Sequence, residues 1–496
     1  MNDLKISNAA EAFLNNIQHH IFVNNKWVEA RNDRTIKVVN PADYSSLGEV
    51  SVASKDDVQN AIDCAKSAFQ KGAWHTMSPV QREGLLLNVA NVFEDHLNPM
   101  AEILTLENGK LLSHAKSEIK GAINTLRYYA GWVTKIEGQT IDISLRQKPG
   151  FKNFAFIKKE PVGVVAAIVP WNFPISIAIW KLAPLLAAGC TVVLKPSEVT
   201  PLSTLYMAQL FEIAGFPPGV VNVVTGDAET GSALTSNPSI DKITFTGSTK
   251  IGKIIGQSAI NNLTPISLEL GGKSPAVIFD DADLTAAAKG TALGIFRNGG
   301  QVCVAGSRVY IHKKVYDNVL ADIKLEGEKL KISDGFDPDA DLGPLVSSTH
   351  LDHVKKYIEK GLENGATLVT GGNSPEIQGA YLKPTIFSIT DNKATIVQEE
   401  IFGPVLAAIP FDDMDEAMRL ANETQYGLSS TVWTKDISKA LKCVDAIDAG
   451  WVFVNGPARS DANLPIGGNK NSGIGRELGK EGLYAYMKSK SVNIIY

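Results

Sequence analysis

The sequence predicts an α/β fold with parallel sheets. Three observations carry that prediction: continuous apolar runs of strand length, helical segments between them, and glycines that close the helices. Between about 160 and 280 the alternation is regular. "VGVVAAIVP" reads as a buried strand and "PISIAIWKLAPLLAAG" as a helix stopped by Gly189. "TVVLKPS" is the next strand, "PLSTLYMAQLFEIAG" the helix ending at Gly215, and "VVNVVTG" a further strand. A short helix "AETGSALTSN", the strand "KITFTGS" and the helix "KIGKIIGQSAI" complete the series. Uninterrupted apolar strands between helices imply a parallel sheet covered on both faces. Ligands of such sheets bind at the carboxyl ends of the strands.

A second alternation runs from about 275 to 455, through "PAVIFD", "RVYIHK", an amphipathic helix near 316–332, "TLVTGG", "PTIF", "AAIPF" and "WVFVNG". It predicts a second α/β unit. Upstream, "VNNKWVEA" and "TIKVVNPA" read as short strands, and 55–135 as mostly helical. The strands "FAFIKKEP" and "SVNIIY" have no obvious local partner. Since bare strand edges invite pairing, they are expected to pair with each other or with another subunit, so an oligomer is expected.

A chain of 496 residues has length for roughly three domain-sized units. Its net charge of −5 leaves no basic footprint for nucleic acid. The four cysteines, Cys64, Cys190, Cys303 and Cys443, lack metal-ligand spacing, so no metal site and no disulfide are expected. That usage suits a reducing cytoplasm, and the N-terminal stretch lacks the pattern of a secretion signal. Residues 161–180 carry no charge and are long enough to span a bilayer. Pro170, Asn172 and Pro174 interrupt them, however, so a strand, a turn and a helix are expected instead.

Several residues suggest chemistry. Cys303 lies in "FRNGGQVCVAGSRVYI", among glycines and amides rather than on an apolar face, which is unusual for a packed thiol. Glu269 in "SLELGGKS" is an acid between leucines, a candidate general base with a raised pKa. It reads equally as the outward residue of an alternating strand. In "ITFTGSTKIG" a strand ends at Gly247 and Ser248 caps a helix, which suits pyrophosphate, although a plain helix cap explains the pattern too. Lys195 and Glu198 in "KPSE" follow a strand end where ribose hydroxyls bind, or are two solvated loop charges. Glu198 would repel a 2′-phosphate, favouring NAD over NADP. None of the eight histidines has suggestive spacing; His350 and His353 read as members of a charged helix.

Taken together, "PWNFP" (170–174), "KPSE" (195–198), "FTGS" (245–248), "LELGGKS" (268–274), "GQVC" (300–303), "EEIFGPV" (399–405) and "SGIGRE" (472–477) resemble, in order, the motifs of the aldehyde dehydrogenase superfamily. The resemblance covers nearly the whole chain. It implies a Rossmann-type cofactor domain (1–140 and 163–271), an α/β catalytic domain (272–482) and a small β oligomerisation flap (141–162 and 483–496). By the same resemblance Cys303 is the catalytic thiol, Glu269 the base that activates water, and Asn172 an oxyanion donor with the Cys303 N–H. Glu477 would assist proton relay with Lys181 nearby. Trp171, Lys195, Glu198, Gly226, Gly247, Ser248, Leu270, Glu400 and Phe402 would hold NAD. Because coenzyme-A-acylating relatives tend to lack the base, Glu269 implies a hydrolytic reaction with a carboxylic acid product.

Substrate choice is expected to rest on Phe173, Ser176, Ile177, Trp180, Arg297, Val302, Val304, Ala458, Arg459, Ser460 and Ile466. "SDANLPIGGNKNSGIGRELG" and "GQVCVAGSRVYI" are most similar to the phenylacetaldehyde dehydrogenase type. Two alternatives stay open: a semialdehyde substrate whose carboxylate pairs with Arg297 and Arg459, and an inactive structural or binding homologue. A thiol esterase working without NAD is a further reading of the same residues.

Overall fold

The apolar runs of the first alternation form the strands Val164–Ile168, Thr191–Lys195, Val221–Val223, Lys242–Thr246 and Ile266–Glu269, all hydrogen-bonded in parallel. The structure, a computed structural model, describes residues 6–16, 20–144 and 149–496. Parts of the expected N-terminal and flap segments therefore lie outside the described residues. In space the strands run 221–223, 191–195, 164–168, 242–246, 266–269, so the order reverses beside Val164–Ile168. The antiparallel strands His20–Val23 and Lys26–Glu29 extend one edge, and Gly473–Ile474 closes the other.

Alternate residues of these strands enter opposite cores, as the two-residue period of a strand requires. Val165, Ala167, Val192 and Leu194 pack under the helices Pro174–Ala188 and Leu202–Ile213. Val164, Ala166, Val193 and Ile243 face the helices Lys55–Gln70 and Thr249–Asn261. The uncharged stretch 161–180 resolves into a strand, a turn and the start of a helix. Among the described residues no helix is long and apolar enough to cross a membrane.

A second sheet carries the strands Thr367–Thr370, Thr385–Ser388, Val405–Phe411, Arg308–His312, Pro275–Ile278, Ser429–Trp433 and Trp451–Val454, in that spatial order. It is parallel except for the bulged edge strand Thr367–Thr370. The two orphan strands pair with each other: Asn153–Pro161 runs antiparallel to Met487–Ile495 from Asn153↔Ile495 to Pro161↔Met487, and Gln139–Ile141 lies on the far side. The described cysteines are all free; Cys190 and Cys443 are buried and Cys64 is half-buried.

One ion pair anchors the turn between Val164–Ile168 and the helix after it. Lys110 Nζ and Glu118 meet with both side chains buried. Glu118 Oε1 also accepts the N–H groups of Ile175 and Ser176, each at 3.0 Å, so it caps the helix Pro174–Ala188, whose first N–H groups have no partner within the helix. Lys110 Nζ donates in addition to the Asn172 carbonyl at 2.8 Å. Glu118→Ala strands a buried ammonium and two helix N–H groups together. It is expected to cost about 3–5 kcal/mol in denaturant unfolding; a loss below about 1 kcal/mol would show that the pair supports nothing.

Candidate active site

In an open parallel sheet the ligand crevice opens beyond the strands' carboxyl ends, where the strand order reverses. Here that point lies between Val164–Ile168 and Lys242–Thr246. The segments leaving those two strands carry Pro170, Trp171 and Asn172 on one side and Gly247 and Ser248 on the other. They line a cleft of about 680 Å³ together with Leu270, Cys303, Glu400 and Phe402. Of the cofactor residues expected from the sequence, Trp171, Gly247, Ser248, Leu270, Glu400 and Phe402 line this cleft, whereas Lys195, Glu198 and Gly226 do not.

Each wall has a local cause. Gly247 has no room for a side chain, since a Cβ would stand 2.5 Å from the Phe245 ring. Ser248 Oγ accepts the Ile251 N–H at 3.4 Å and starts the helix Thr249–Asn261, whose first amides face outward as an anion site. Gly226, at φ 149°, packs so tightly on Thr230 that a Cβ would meet its hydroxyl at 2.1 Å. Lys195, at the end of its strand, is buried, and burial lowers its pKa; Glu198 is exposed and lies 3.8 Å from it. Only Glu198 is a solvated loop charge. Glu400 Oε1 accepts the Gly272 N–H at 2.9 Å, and burial raises its carboxyl to about 7.

The Cys303 loop is fixed by hydrogen bonds and by glycine. Asn298, Gly299 and Gly300 follow one another in the left-handed region, at φ 53°, 65° and 69°. A Cβ on Gly300 would lie 2.1 Å from the Gly403 carbonyl. Gln301 Nε2 donates to the Asn298 carbonyl and its Oε1 accepts the Val346 N–H, both at 2.9 Å. Asn172 Nδ2 donates to the Gln301 carbonyl at 3.0 Å, tying the first sheet's crevice to the thiol loop. An amide nitrogen carries two hydrogens, so one remains for a ligand.

Burial pushes the Cys303 thiol up to about 12; Glu400 and Glu269 add to the shift, and the N–H groups of Val304 and Cys303 oppose it. Glu269 ends its strand buried, not outward, and neither carboxyl oxygen has a hydrogen-bond partner. Burial first, then Glu477, raises its pKa well above the ordinary carboxylate value; Lys181 and Arg476 counteract. Behind it, Lys181 Nζ pairs with Glu477 and donates to Thr246 Oγ1 at 2.7 Å, and Thr244 Oγ1 donates to Glu477 at 3.3 Å. Glu477, Lys181 and Glu269 are therefore one buried network.

The expected substrate residues separate into groups. Phe173, Ile177, Trp180, Val304 and Ile466 belong to, or pack against, the buried core around the first sheet, and of these only Ile177 lines the cleft with Cys303. Arg297, Val302, Val304, Ala458 and Arg459 line a different hollow, one that does not include Cys303. Ser460 is exposed, and Ser176 is occupied at the Glu118 cap.

Sequence reasoning passed over His350 and His353, which line the cofactor cleft. His350 Nε2 donates to the Phe402 carbonyl at 2.8 Å, and its ring packs on Trp171 at 5.0 Å. Phe402 is held at φ 58°, a conformation costly for an aromatic residue, so this bond secures it. The signal was present in the sequence: both histidines occupy the first turns of a helix capped by Ser347, and that end faces the crevice.

With this geometry in view, the comparisons with known proteins agree. Residues 27–492 match the model of the aldehyde dehydrogenase family. The chain is 44% identical to a phenylacetaldehyde dehydrogenase of Pseudomonas fluorescens, across 97% of this chain and 96% of that protein. It is similar to an aldehyde dehydrogenase of Bacillus cereus solved with NAD+, with a TM-score of 0.96 and 42% identity over 99% of both chains. A betaine aldehyde dehydrogenase of Staphylococcus aureus, also solved with NAD+, has a TM-score of 0.94 at 37% identity, covering 98% of this chain and 96% of that one. The fold and site define an oxidoreductase of the doubly wound α/β class. The chain belongs to the aldehyde dehydrogenase family.

The thiol environment makes a prediction for the protein without cofactor. With a pKa near 12, Cys303 is almost wholly protonated at pH 7. Its alkylation by iodoacetamide, followed by peptide mass spectrometry, should accelerate about tenfold per pH unit and still be rising at pH 10. A plateau near pH 8 would contradict this environment.

Proposed function

We propose that this chain oxidises an aldehyde, phenylacetaldehyde or a similar aryl or aliphatic aldehyde, to the carboxylic acid with NAD. The observation that carries the reading is the meeting of Cys303, Asn172 and Glu269 around the crevice of the first sheet. The cleft suits the cofactor: the amides after Ser248 present donors where pyrophosphate would lie, and Lys195 and Glu198 stand at and just past the end of the neighbouring strand, where ribose would lie. Exposed Glu198 would repel a 2′-phosphate, which favours NAD over NADP. NAD held by these residues would supply the hydride acceptor.

The residues then divide the work. Cys303 gives its proton to ionised Glu269 as Sγ bonds to the aldehyde carbon, and the carbonyl π bond opens to an oxyanion held by the spare Asn172 N–H and the Cys303 N–H. Loss of hydride leaves a thioester on Cys303. Glu269, once ionised, takes a proton from water as the water attacks, and the acid leaves as the thiol is restored. Glu477 sets the proton affinity of Glu269, and Lys181 restrains it. A hydrolytic outcome follows from Glu269, and Ile177, which lines the cleft with Cys303, suits an apolar substrate body. The division into cofactor unit (1–140 and 163–271), catalytic unit (272–482) and flap (141–162 and 483–496) belongs to the same reading. So do assembly into a dimer or tetramer through the flap and a cytoplasmic location, the latter supported by the free thiols.

One observation favours a semialdehyde instead: among the described residues, neither the Arg297 nor the Arg459 guanidinium has an ion-pair or hydrogen-bond partner. The hollow they line lacks Cys303, which places them away from the reacting atoms.

NADH formation with phenylacetaldehyde, short aliphatic aldehydes, betaine aldehyde and succinate semialdehyde tests the reading. Phenylacetaldehyde should give the highest kcat/KM, and Cys303→Ala none; a semialdehyde at the top would move the specificity to the arginines. Asn172→Ala should lower kcat about 10²–10³-fold, the usual cost of one oxyanion donor. Glu477→Gln removes a like charge beside Glu269 and leaves Lys181 facing it. The acid limb of the pH–rate profile should therefore move to lower pH; a shift to higher pH would reject the coupling.

A further inference from the structure

The strand Lys242–Thr246 departs from the apolar pattern of its sheet. Val165 and Ala167 stand beside Lys242 and Thr244 in register, and strands buried on both faces are ordinarily apolar throughout. Yet Lys242, Thr244 and Thr246 share one face, since residues two apart lie on the same side of a strand. On the other flank Ser267 pairs with Thr244 and Glu269 with Thr246, at the crevice end. Lys242 opens the strand at the opposite end. A polar row thus crosses the core of the sheet, from the side of the thiol to the side of the flap.

The row is joined to the buried network behind Glu269. Lys181 Nζ donates to Thr246 Oγ1 and pairs with Glu477, and Thr244 Oγ1 donates to Glu477 Oε1 at 3.3 Å. With that hydrogen committed, Thr244 Oγ1 accepts from the Tyr486 hydroxyl. Lys242 Nζ stands over the Tyr486 ring, 5.6 Å from its centre. Exposure rises outward along this line, from 0% at Thr244 to 2% at Tyr486 and 4% at Lys242. Burial lowers the pKa of the Lys242 ammonium to about 8, so it parts with a proton near neutral pH. The other titratable groups facing these residues are engaged elsewhere. Tyr129 donates to the Gly479 carbonyl at 2.9 Å, and Cys190 to the Tyr486 carbonyl at 3.5 Å.

Glu269 needs an outlet of this kind. In the proposed reaction it takes one proton from the Cys303 thiol and a second from water, and the first must leave before the second is taken. The crevice side holds the aldehyde and NAD at that moment. We propose that the proton leaves through the sheet instead, from Glu477 by way of Thr244 and Tyr486 to Lys242 and the solvent beside the flap. Thr244, Tyr486 and Lys242 are positioning residues for that transfer, and the route presupposes the reaction assigned to Cys303 and Glu269. Lys242 first yields a proton to solvent. Glu477 takes the proton of Glu269 and passes it to Thr244 Oγ1; Thr244 gives its own hydroxyl proton to Tyr486, and Tyr486 its own to the Lys242 amine. Every group but Glu269 ends as it began, and one proton has passed to solvent.

Rapid-mixing kinetics with the aldehyde of highest kcat/KM test the route in Thr244→Val, Thr244→Ser and Lys242→Met. Thr244→Val keeps the shape of the side chain and removes its hydroxyl, whereas Thr244→Ser keeps the hydroxyl. Thr244→Val and Lys242→Met should form the first NADH as fast as wild type, because one proton can stay on Glu269 during the first hydride transfer. They should then turn over about tenfold more slowly or worse, with a larger solvent deuterium isotope effect. Thr244→Ser should stay near wild type, and added imidazole should restore Lys242→Met by carrying the proton in place of the amine. Unchanged turnover in both Thr244→Val and Lys242→Met would overturn the route. So would equal losses in Thr244→Val and Thr244→Ser, or a loss that leaves the isotope effect unchanged. Where Lys242→Met does not fold, the Thr244 pair decides alone. A wild type that forms no NADH with any aldehyde would overturn the proposed function and the route with it; an active wild type with unaffected variants overturns the route only.

Discussion

The site depends on one constraint: the backbone between Val164–Ile168 and Pro174–Ala188 must turn sharply without leaving its polar groups unpaired. Trp171, Asn172 and Phe173 occupy that turn, and a buried turn away from water must find a partner for each N–H and carbonyl. Lys110 takes the Asn172 carbonyl, Asn108 Nδ2 the Trp171 carbonyl, and Glu118 the N–H groups of Ile175 and Ser176 that follow. An isolated buried ion pair is a doubtful source of stability. This one is different in kind, because both of its charges also satisfy backbone groups. What it secures is the position of Asn172.

From Asn172 the constraint passes to the second half of the protein. Its side chain holds the Gln301 carbonyl, and Gln301 in turn holds Asn298 and Val346. The three left-handed residues before Gln301 can keep their conformation because the loop is tied at both ends. Gly272 packs so close beneath that a Cβ would meet the Cys303 carbonyl at 2.4 Å. The thiol is thus placed by contacts from the first sheet's turn, the strand exit after Glu269 and its own loop. A thiol on a free loop would sample many geometries; here the entropy has been lost on folding, before any substrate arrives.

Much of this was legible in the sequence, and the exceptions have physical reasons. The apolar strands of the first sheet announced themselves because both of their faces are buried. Ser429–Trp433 did not, since its buried residues include Ser429 and Ser430, which look like loop composition. Gly473–Ile474 is too short to carry any period. Nothing local in the sequence reveals that Lys110 and Glu118 are each other's buried partner. Cys303 stood out for the opposite reason: its neighbours suit a backbone pressed against another backbone, not a packed core. The arginines were visible as residues, but their lack of partners is a property of the fold alone.

The electrostatics of the site follow from the same enclosure. Burial raises the thiol, Glu269 and Glu400 together, and each carboxylate that ionised would raise the thiol further. Ionising Cys303 at pH 7 against a pKa near 12 costs roughly 7 kcal/mol, at 1.36 kcal/mol per unit. Such a site is quiet at rest: the Cys303 thiol keeps its proton at pH 7, and Glu269 holds a proton more tightly than an ordinary carboxylate. Activation therefore has to come from whatever positive charge and hydrogen bonding fill the cleft. A resting thiolate facing an open crevice would be oxidised or alkylated readily, and a resting carboxylate beside it would only deepen the repulsion. The Lys181–Glu477 pair lies behind Glu269 rather than beside the thiol, so its charges act on Glu269 and leave the thiol protonated. Enclosure thus keeps the cysteine in its less reactive form.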